Sequence, residues 1–163
     1  MAPNNYLPHI LVLPEDDADR QIANGFVLDE SLHTRRIQVL EEAGGWTRVL
    51  DSFETDYIFG MESWPGRFMV LLIDFDGQEG RLTQAKSRIP AHLAGRVFIL
   101  GALTNPEDLR QSLGGSLEEI GKALAKDCRE GTDTVWDHAL LRHNSSEVER
   151  LRERVRPILF PSN

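Results

Sequence analysis

The sequence predicts an α/β fold in which a mostly parallel, four-stranded sheet is flanked by helices and followed by a helical C-terminal extension. Three observations lead to this prediction. Almost entirely apolar runs such as residues 68–74 are typical of strands that are buried on both faces. Helical patterns separate these runs, which favours parallel strands joined by right-handed crossovers. From residue 116 onward the pattern is helical only.

The length and composition fit one globular domain over residues 1–163. We expect an α/β core at residues 9–110 and a helical extension at residues 116–160. Hydrophobic residues make up 40% of the chain and charged residues 27%, which excludes a disordered or fibrous protein. The formal net charge of −8 argues against nucleic-acid binding by a generally basic surface, because phosphate contacts come mainly from Lys and Arg.

The chain carries one cysteine, Cys128, so an intrachain disulfide and a cysteine-based zinc site are excluded. Its apolar runs are all shorter than the roughly 18 residues that a membrane span requires, and residues 1–7 lack the regions of a signal peptide. We therefore expect a cytoplasmic protein that does not interact with membranes.

The first strand is predicted at residues 9–13, and a helix follows it. Acidic residues lie between the strand and the helix or in the first helical turn. Glu15 and Asp19 are one turn apart, so on a helix they share a face with metal-ligand spacing. The alternative is that these carboxylates only stabilise the positive end of the helix dipole, but four of them are present: Glu15, Asp16, Asp17 and Asp19.

The next two elements are an edge strand and an amphipathic helix. Residues 35–40 alternate between polar and apolar side chains, which is typical of a strand near the edge of a sheet. From Trp46 to Met61 the apolar side chains recur at intervals of three and four residues, which predicts one helix.

The third strand, residues 68–74, is predicted to be central, because six of its seven residues are apolar. Asp74 and Asp76 follow on one side of the extended chain, about 7 Å apart. Ligands of open α/β sheets bind at the carboxyl ends of the strands, where such a pair can hold a divalent cation. Alternatively, the two aspartates only cap and begin a turn.

A polar helix, a fourth strand and a further helix complete the predicted core. The helix at residues 78–89 carries Arg81, Lys86 and Arg88, which either face phosphate groups or lie in solvent. The strand at residues 96–103 leads to Asn105 and Pro106, a cap and first position typical of a helix start. Glu107 follows them as a metal ligand or as a simple helix-start carboxylate.

Three helices are predicted in the C-terminal extension, at residues 117–129, 133–143 and 146–156. Capping boxes, in which Ser and Glu are three residues apart, begin the first at Ser116 and the last at Ser146. Lys122 and Lys126 lie one helical turn apart and could reach a phosphate group.

The acidic residues converge if the first, third and fourth strands are adjacent. So many carboxylates cannot all stay ionised together unless a cation compensates them or some of them take up protons. Oxygen ligands of this type suit Mg²⁺ or Mn²⁺. The predicted ligands are Glu15, Asp19, Asp74, Asp76 and Glu107.

This pattern resembles the Toprim domain of topoisomerases, bacterial primases and certain nucleases. In that family a Glu follows the first strand, a D-x-D pair the third, and an acidic residue the fourth. Residues 13–15 (Leu-Pro-Glu) and 73–76 (Ile-Asp-Phe-Asp) match the first two motifs, and Glu107 is similar to the last acid. In the nuclease branch a second glutamate follows the first at i+4, where Asp19 stands here.

The resemblance implies Mg²⁺-dependent hydrolysis of phosphodiester bonds in DNA or RNA. Glu15 would act as a general acid or base, and Asp74 and Asp76 would hold the metal ion. A basic residue beyond the domain often assists the nuclease members, a role that Lys122 or Lys126 could take. Because the protein is acidic, a partner protein could supply the nucleic-acid binding surface.

Two alternatives remain open from the sequence. Residues 10–17 also resemble the first strand and acidic pair of response-regulator receiver domains, in which Asp74 would be phosphorylated and Thr104 would be the switch hydroxyl. Receivers need a fifth strand preceded by a lysine, however, and no such strand is predicted. The second alternative is a catalytically inactive Toprim-like interaction module that binds metal only structurally.

Overall fold

A computed structural model describes residues 2–161 of the chain and contains four strands and eight α-helices in that range. The strands are β1 (His9–Pro14), β2 (Ile37–Val39), β3 (Arg67–Leu72) and β4 (Val97–Leu100). The helices are α1 (Asp17–Val27), α2 (Trp46–Ser52), α3 (Ile58–Ser63), α4 (Gly80–Ser87), α5 (Pro106–Leu113), α6 (Leu117–Glu130), α7 (Ser145–Arg154) and α8 (Arg156–Leu159).

The four strands form one parallel sheet in the order β2-β1-β3-β4. This confirms the predicted α/β class, the central position of β3 and the edge position of β2. Val12 pairs with Val39 on one side and Val70 on the other, and Leu71 pairs with Ile99. Because all strands run in one direction, the segments that follow β1, β3 and β4 meet at the same edge of the sheet.

Each face of the sheet is covered by its own hydrophobic core, because side chains alternate along a strand. Ile10, Val70 and Phe98 belong to the core shared with α1, α6, α7 and α8. Leu11 and Leu71 belong to the core shared with α2, α3 and α4. The strands β1, β3 and β4 are therefore apolar on both sides, as their sequences predicted.

Helices α1 and α6 pack backbone against backbone at two glycines. A Cβ atom on Gly121 would lie 2.0 Å from the carbonyl oxygen of Ile22, and one on Gly25 would lie 2.0 Å from that of Glu118. Any larger residue at these positions requires the helices to separate. The contact holds α1, and with it Asp19, firmly over the sheet.

The outer edge of β4 is closed by side chains of the C-terminal extension. The Glu147 carboxylate accepts a hydrogen bond of 3.0 Å from the Ile99 amide, and Asn144 bonds to both backbone groups of Gly101. Burial opposes ionisation of Glu147, but the Ile99 amide, Lys86 and Arg150 together hold its pKa below the ordinary value. These two side chains satisfy backbone groups that an edge strand otherwise leaves unpaired.

Two predictions for the extension are wrong. Residues 133–141 form turns and Arg142–Asn144 a short 3-10 helix in place of the predicted helix at residues 133–143. The Asp127 carboxylate binds the backbone amides of Val135 and Trp136 and so competes with helical hydrogen bonds. Helix α7 begins at Ser145 after Asn144, so the predicted capping box at Ser146 does not form. The box at Ser116 is confirmed, since its hydroxyl accepts a bond of 3.1 Å from the Glu119 amide.

The predicted helix from Trp46 to Met61 is also interrupted. A π-helical turn at Phe53–Tyr57 separates α2 from α3, although the whole segment packs on the sheet as its apolar spacing predicted.

Among the described residues, no helix is long and apolar enough to cross a membrane.

Candidate metal centre

Three carboxylates meet where β1 and β3 end. Glu15 follows β1, Asp74 follows β3, and Asp19 lies in the first turn of α1. One oxygen atom from each side chain lies within 4.8 Å of an oxygen atom from each of the others. We call these three residues the carboxylate triad.

The chain around Glu15 holds this residue at both its backbone and its side chain. The amides of Gly44 and Gly45 donate to the Glu15 carbonyl at 2.8 and 3.2 Å. One oxygen of the Glu15 carboxylate accepts a hydrogen bond of 2.5 Å from the backbone amide of Asp74. This bond ties the ends of the two central strands together and leaves the second Glu15 oxygen available for a ligand.

Asp19 is oriented by the start of helix α1. Asp16 is the N-cap residue, and its side chain accepts a hydrogen bond of 3.0 Å from the Asp19 amide. Glu15 therefore precedes the helix, so the prediction that it shares a helical face with Asp19 is wrong. The two side chains still meet, because the cap turns α1 back over the end of β1.

When Asp19 and Asp74 are both ionised, each keeps a buried oxygen without a hydrogen-bond donor among residues 2–161, namely Oδ2 of Asp19 and Oδ1 of Asp74. Their side chains belong to residues that are 3% and 6% exposed. An unpaired buried polar atom costs free energy, roughly 1–3 kcal/mol for a neutral group and more for a charged one. Such atoms indicate that the triad takes up either a cation or protons.

Burial also raises the pKa of all three carboxyl groups. For Asp19 the largest cause is loss of solvent, followed by the repulsion of Asp74. The pKa of Asp74 is raised by burial and by the charges of Asp16 and Glu15, while the hydrogen bond that a protonated Asp19 donates to it opposes the rise. Burial likewise raises the pKa of Glu15, against the effect of the Asp74 amide. A cation bound between these groups would lower their pKa values again, since it favours their ionised forms.

The donor set fits a hard metal ion. Carboxylate oxygens suit Mg²⁺, Mn²⁺ and Ca²⁺, and three such groups leave coordination positions for water or a substrate. Cysteine and histidine ligands, which favour zinc and softer metals, are absent from the triad. The carboxylate triad can therefore hold a metal ion of this class.

Asp76 is not one of the three carboxylates whose oxygens converge, although its charge contributes to the raised pKa of Glu15. Strand β3 ends at Leu72, and Asp76 adopts a left-handed conformation with φ of 47°. Its exposed carboxylate forms an ion pair of 2.8 Å with Arg81. The alternation that places Asp74 and Asp76 on one side applies only to an extended strand, and the turn at Gly77 interrupts it.

Glu107 and the two lysines form no hydrogen bond or ion pair with the triad among residues 2–161. Glu107 is exposed at the start of α5 and pairs with Arg110 at 2.7 Å, which fits its alternative role as a helix-start carboxylate. Lys122 and Lys126 are exposed on α6. Within the described part of the chain, neither lysine forms an ion pair with Glu15, Asp19 or Asp74.

Arg81 is the cation that the structure places beside the triad. Its guanidinium donates to the carbonyl of Asp74 at 2.5 Å and to the carboxylate of Asp76 at 2.8 Å. It also lies over the ring of Trp46, 4.5 Å from the ring centre, which fixes its position. Arg81 was predicted to face phosphate groups or solvent, but the sequence of the polar helix gives no reason to prefer it over Lys86 or Arg88.

Comparison with protein-family models, with curated proteins and with solved structures finds no match to this chain. The resemblance to the Toprim domain therefore stays a prediction that rests on its motif residues.

Proposed function

We propose that this protein is a divalent-cation-dependent phosphodiesterase that acts on nucleic acid, with Mg²⁺ or Mn²⁺ bound at the carboxylate triad. The observation that carries the proposal is the pair of buried, unpartnered oxygens on Asp19 and Asp74, together with the nearby Glu15 carboxylate. The choice of phosphodiester substrate follows from the motif resemblance. Three protein ligands fit a single metal ion better than a pair of metal ions, because a second ion requires further carboxylates.

Each residue of the triad has a role in this proposal. Asp19 and Asp74 would bind the ion, and Glu15 would bind it or transfer a proton at the scissile phosphate. The raised pKa of Glu15, caused mainly by burial, brings its proton exchange closer to neutral pH. A bound cation would stabilise charge on the phosphoryl oxygens and orient the attacking water.

Arg81, instead of Lys122 or Lys126, is the assisting basic residue in this proposal. Its guanidinium lies beside the triad, and its stacking on Trp46 holds it there. A planar guanidinium suits bidentate binding of phosphate oxygens. We therefore expect Arg81 to bind the substrate phosphate after exchanging its ion pair with the exposed Asp76 for the new contact.

Cleavage assays test this function directly. Single-stranded and double-stranded DNA and RNA are incubated with the full chain while Mg²⁺ or Mn²⁺ is titrated. Metal-dependent cleavage that falls at least a hundredfold in Asp74→Asn, but less than threefold in the matched Asp76→Asn variant, supports the proposal. Metal binding without cleavage of any substrate would instead indicate the inactive interaction module.

A receiver-like phospho-acceptor is the second candidate, and Thr104 favours it. The hydroxyl oxygen of Thr104, in the loop that follows β4, is buried and has no hydrogen-bond partner in the described residues. The strand order β2-β1-β3-β4 also corresponds to the first four strands of the flavodoxin-like order. Residues 2–161 form no fifth strand, however, so the lysine position of a receiver is not present in this range.

The two candidates differ in their response to acetyl phosphate. A receiver-like protein would acquire one phosphoryl group on Asp74 in the presence of Mg²⁺, detectable by intact-protein mass spectrometry and lost in Asp74→Asn. The phosphodiesterase would remain unmodified and cleave nucleic acid. Phosphorylation without cleavage would replace the first proposal by the second.

A further inference from the structure

A second charged feature lies at the end of the sheet opposite the triad. Three arginines and a histidine line one cleft of about 960 Å³, and we call it the arginine cleft: His33, Arg129, Arg152 and Arg156. His33 immediately precedes the turn that leads into β2, so the cleft lies at the amino ends of the strands. The triad lies at their carboxyl ends, roughly 20 Å away for a strand of six residues.

Backbone hydrogen bonds hold the cleft residues in place. The Arg156 guanidinium donates to the carbonyl of Arg129 at 2.7 Å, and that of Arg152 donates to the carbonyl of Thr132. The amide of His33 donates to the carbonyl of Leu159 at 2.8 Å, which joins the loop after α1 to helix α8. The cations therefore come from three separate segments that are fixed to one another.

Carboxylates neutralise these arginines only in part. Arg129 lies within ion-pair distance of two carboxylates, Asp29 at 3.4 Å and Glu130 at 3.7 Å, and Arg152 pairs with Asp133 at 2.9 Å. Arg156 has no carboxylate partner within ion-pair distance among residues 2–161. In addition, the Nε atom of Arg152 is buried without an acceptor in the same range. An anion in the cleft would supply a counter-charge to Arg156.

A neighbouring cleft extends the basic surface. It has a volume of about 690 Å³, shares His33 with the arginine cleft and is also lined by Arg35 and Arg36. Arg35 is exposed, and Arg36 donates to the carbonyl of Pro8 at 3.0 Å. The two clefts together offer cations along a path longer than one phosphate group. Although the chain has a net charge of −8, this surface attracts anions through its local positive charge.

We propose that the arginine cleft binds phosphate groups, with a diphosphate or a phosphorylated chain end as the class of ligand. Guanidinium groups fit phosphate oxygens through paired hydrogen bonds, and they remain charged at any physiological pH. The site is separate from the carboxylate triad and does not depend on metal binding there. A phosphate on a small molecule and the terminal phosphate of an oligonucleotide offer the same chemistry to the cleft.

Calorimetric titration of the full chain with inorganic pyrophosphate tests the proposal. We expect saturable binding that is at least tenfold weaker in Arg156→Gln and is partly retained in Arg156→Lys, which keeps the charge. The matched control is Arg110→Gln, since Arg110 is an exposed arginine on α5 outside the cleft. Equal binding by wild type and Arg156→Gln, or no binding by wild type, would overturn the proposal.

A second measurement does not depend on the variants remaining folded. The Nε–H resonance of Arg156 in the wild-type protein is expected to shift on addition of pyrophosphate, because this side chain lines the cleft and has no carboxylate partner among residues 2–161. An unchanged resonance at saturating pyrophosphate would contradict the site. Titrations with inorganic phosphate and with a short single-stranded oligonucleotide, with and without a 5′-phosphate, distinguish the two sources of the ligand.

Discussion

At the scale of single residues, the triad places acidic groups where their charges are costly. Asp19 and Asp74 are buried, lie close together and each retain an oxygen without a hydrogen-bond partner in the described residues. Neutral or apolar side chains at these positions would make the protein more stable, because buried like charges oppose folding. The arrangement is explained if a cation compensates the charges.

The substitution Asp74→Asn is expected to stabilise the metal-free protein by about 1–3 kcal/mol at neutral pH, because it removes a buried acidic group whose ionised form is disfavoured. The same change should abolish stabilisation by Mg²⁺ or Mn²⁺. Thermal unfolding with and without metal measures both effects.

The exposed neighbour Asp76 provides the control for this substitution. Asn tolerates the left-handed conformation at this position, so Asp76→Asn should change the free energy of unfolding by less than about 0.5 kcal/mol and leave stabilisation by metal intact. A lower stability of metal-free Asp74→Asn than of wild type would contradict the electrostatic argument.

The raised pKa values of the triad predict that metal affinity increases with pH. Asp19 and Asp74 have pKa values above the ordinary value of 3.8, so the folded, metal-free protein retains protons that the metal must displace. Between about pH 5 and pH 8, the affinity should rise by up to about tenfold per pH unit for each displaced proton. Mn²⁺ titrations across this range measure the slope, and an affinity independent of pH would contradict the prediction.

The same shifts set the sign of the stability change in the absence of metal. The unfolded chain ionises these groups near the ordinary value, whereas the folded protein still holds protons as the pH rises further. The triad therefore makes the metal-free protein less stable as the pH increases toward its raised pKa values. The difference between wild type and Asp74→Asn isolates this contribution from those of other titrating groups.

At the scale of elements, the packing of α1 on α6 determines where Asp19 lies. The helices approach so closely that Gly121 and Gly25 contact backbone atoms of the opposite helix. Because Asp19 projects from α1, a shift of this helix would move a metal ligand away from Glu15 and Asp74. The crossing of the two helices thus connects the C-terminal extension to the candidate site.

The substitution Gly121→Ala is expected to destabilise the protein by about 1–3 kcal/mol, because its Cβ would lie 2.0 Å from the Ile22 carbonyl oxygen. It should also weaken metal binding, since α1 must shift to relieve the clash. Chemical denaturation measures the first effect and calorimetry the second.

Gly80→Ala is the matched control for this substitution. A Cβ atom at Gly80 would have no neighbour within 4 Å among the described residues, so this variant should be neutral or slightly stabilising. A neutral Gly121→Ala variant would show that the two helices can separate without cost.

At the scale of the whole molecule, the sequence was sufficient to predict the class of fold and part of the site. Long apolar runs identify β1 and β3. Glu15 and Asp74 follow the carboxyl ends of these strands, so they are close together if the two strands are adjacent. The order of the strands could not be derived from local patterns, because it depends on contacts between distant segments. The acidic residues were predicted to converge only if the first, third and fourth strands are adjacent, and the observed order makes them adjacent.

The failed predictions have local causes that the sequence pattern does not reveal. Asp76 leaves the triad because β3 ends at Leu72 and the chain turns, whereas the prediction extended the strand to residue 74. The predicted helix at residues 133–143 is absent because Asp127 binds amides in that segment. Arg81 could not be selected as the cation beside the triad, since its stacking on Trp46 joins residues that are far apart in the chain.

The central claim is that the carboxylate triad binds a divalent cation, and electron paramagnetic resonance with Mn²⁺ tests it most directly. The signal of free Mn²⁺ is followed while wild type, Asp74→Asn and Asp76→Asn are added. We predict one Mn²⁺ per chain for wild type and for Asp76→Asn, displaced by excess Mg²⁺, and binding at least tenfold weaker for Asp74→Asn. No binding by wild type, or equal binding by Asp74→Asn, would contradict the account.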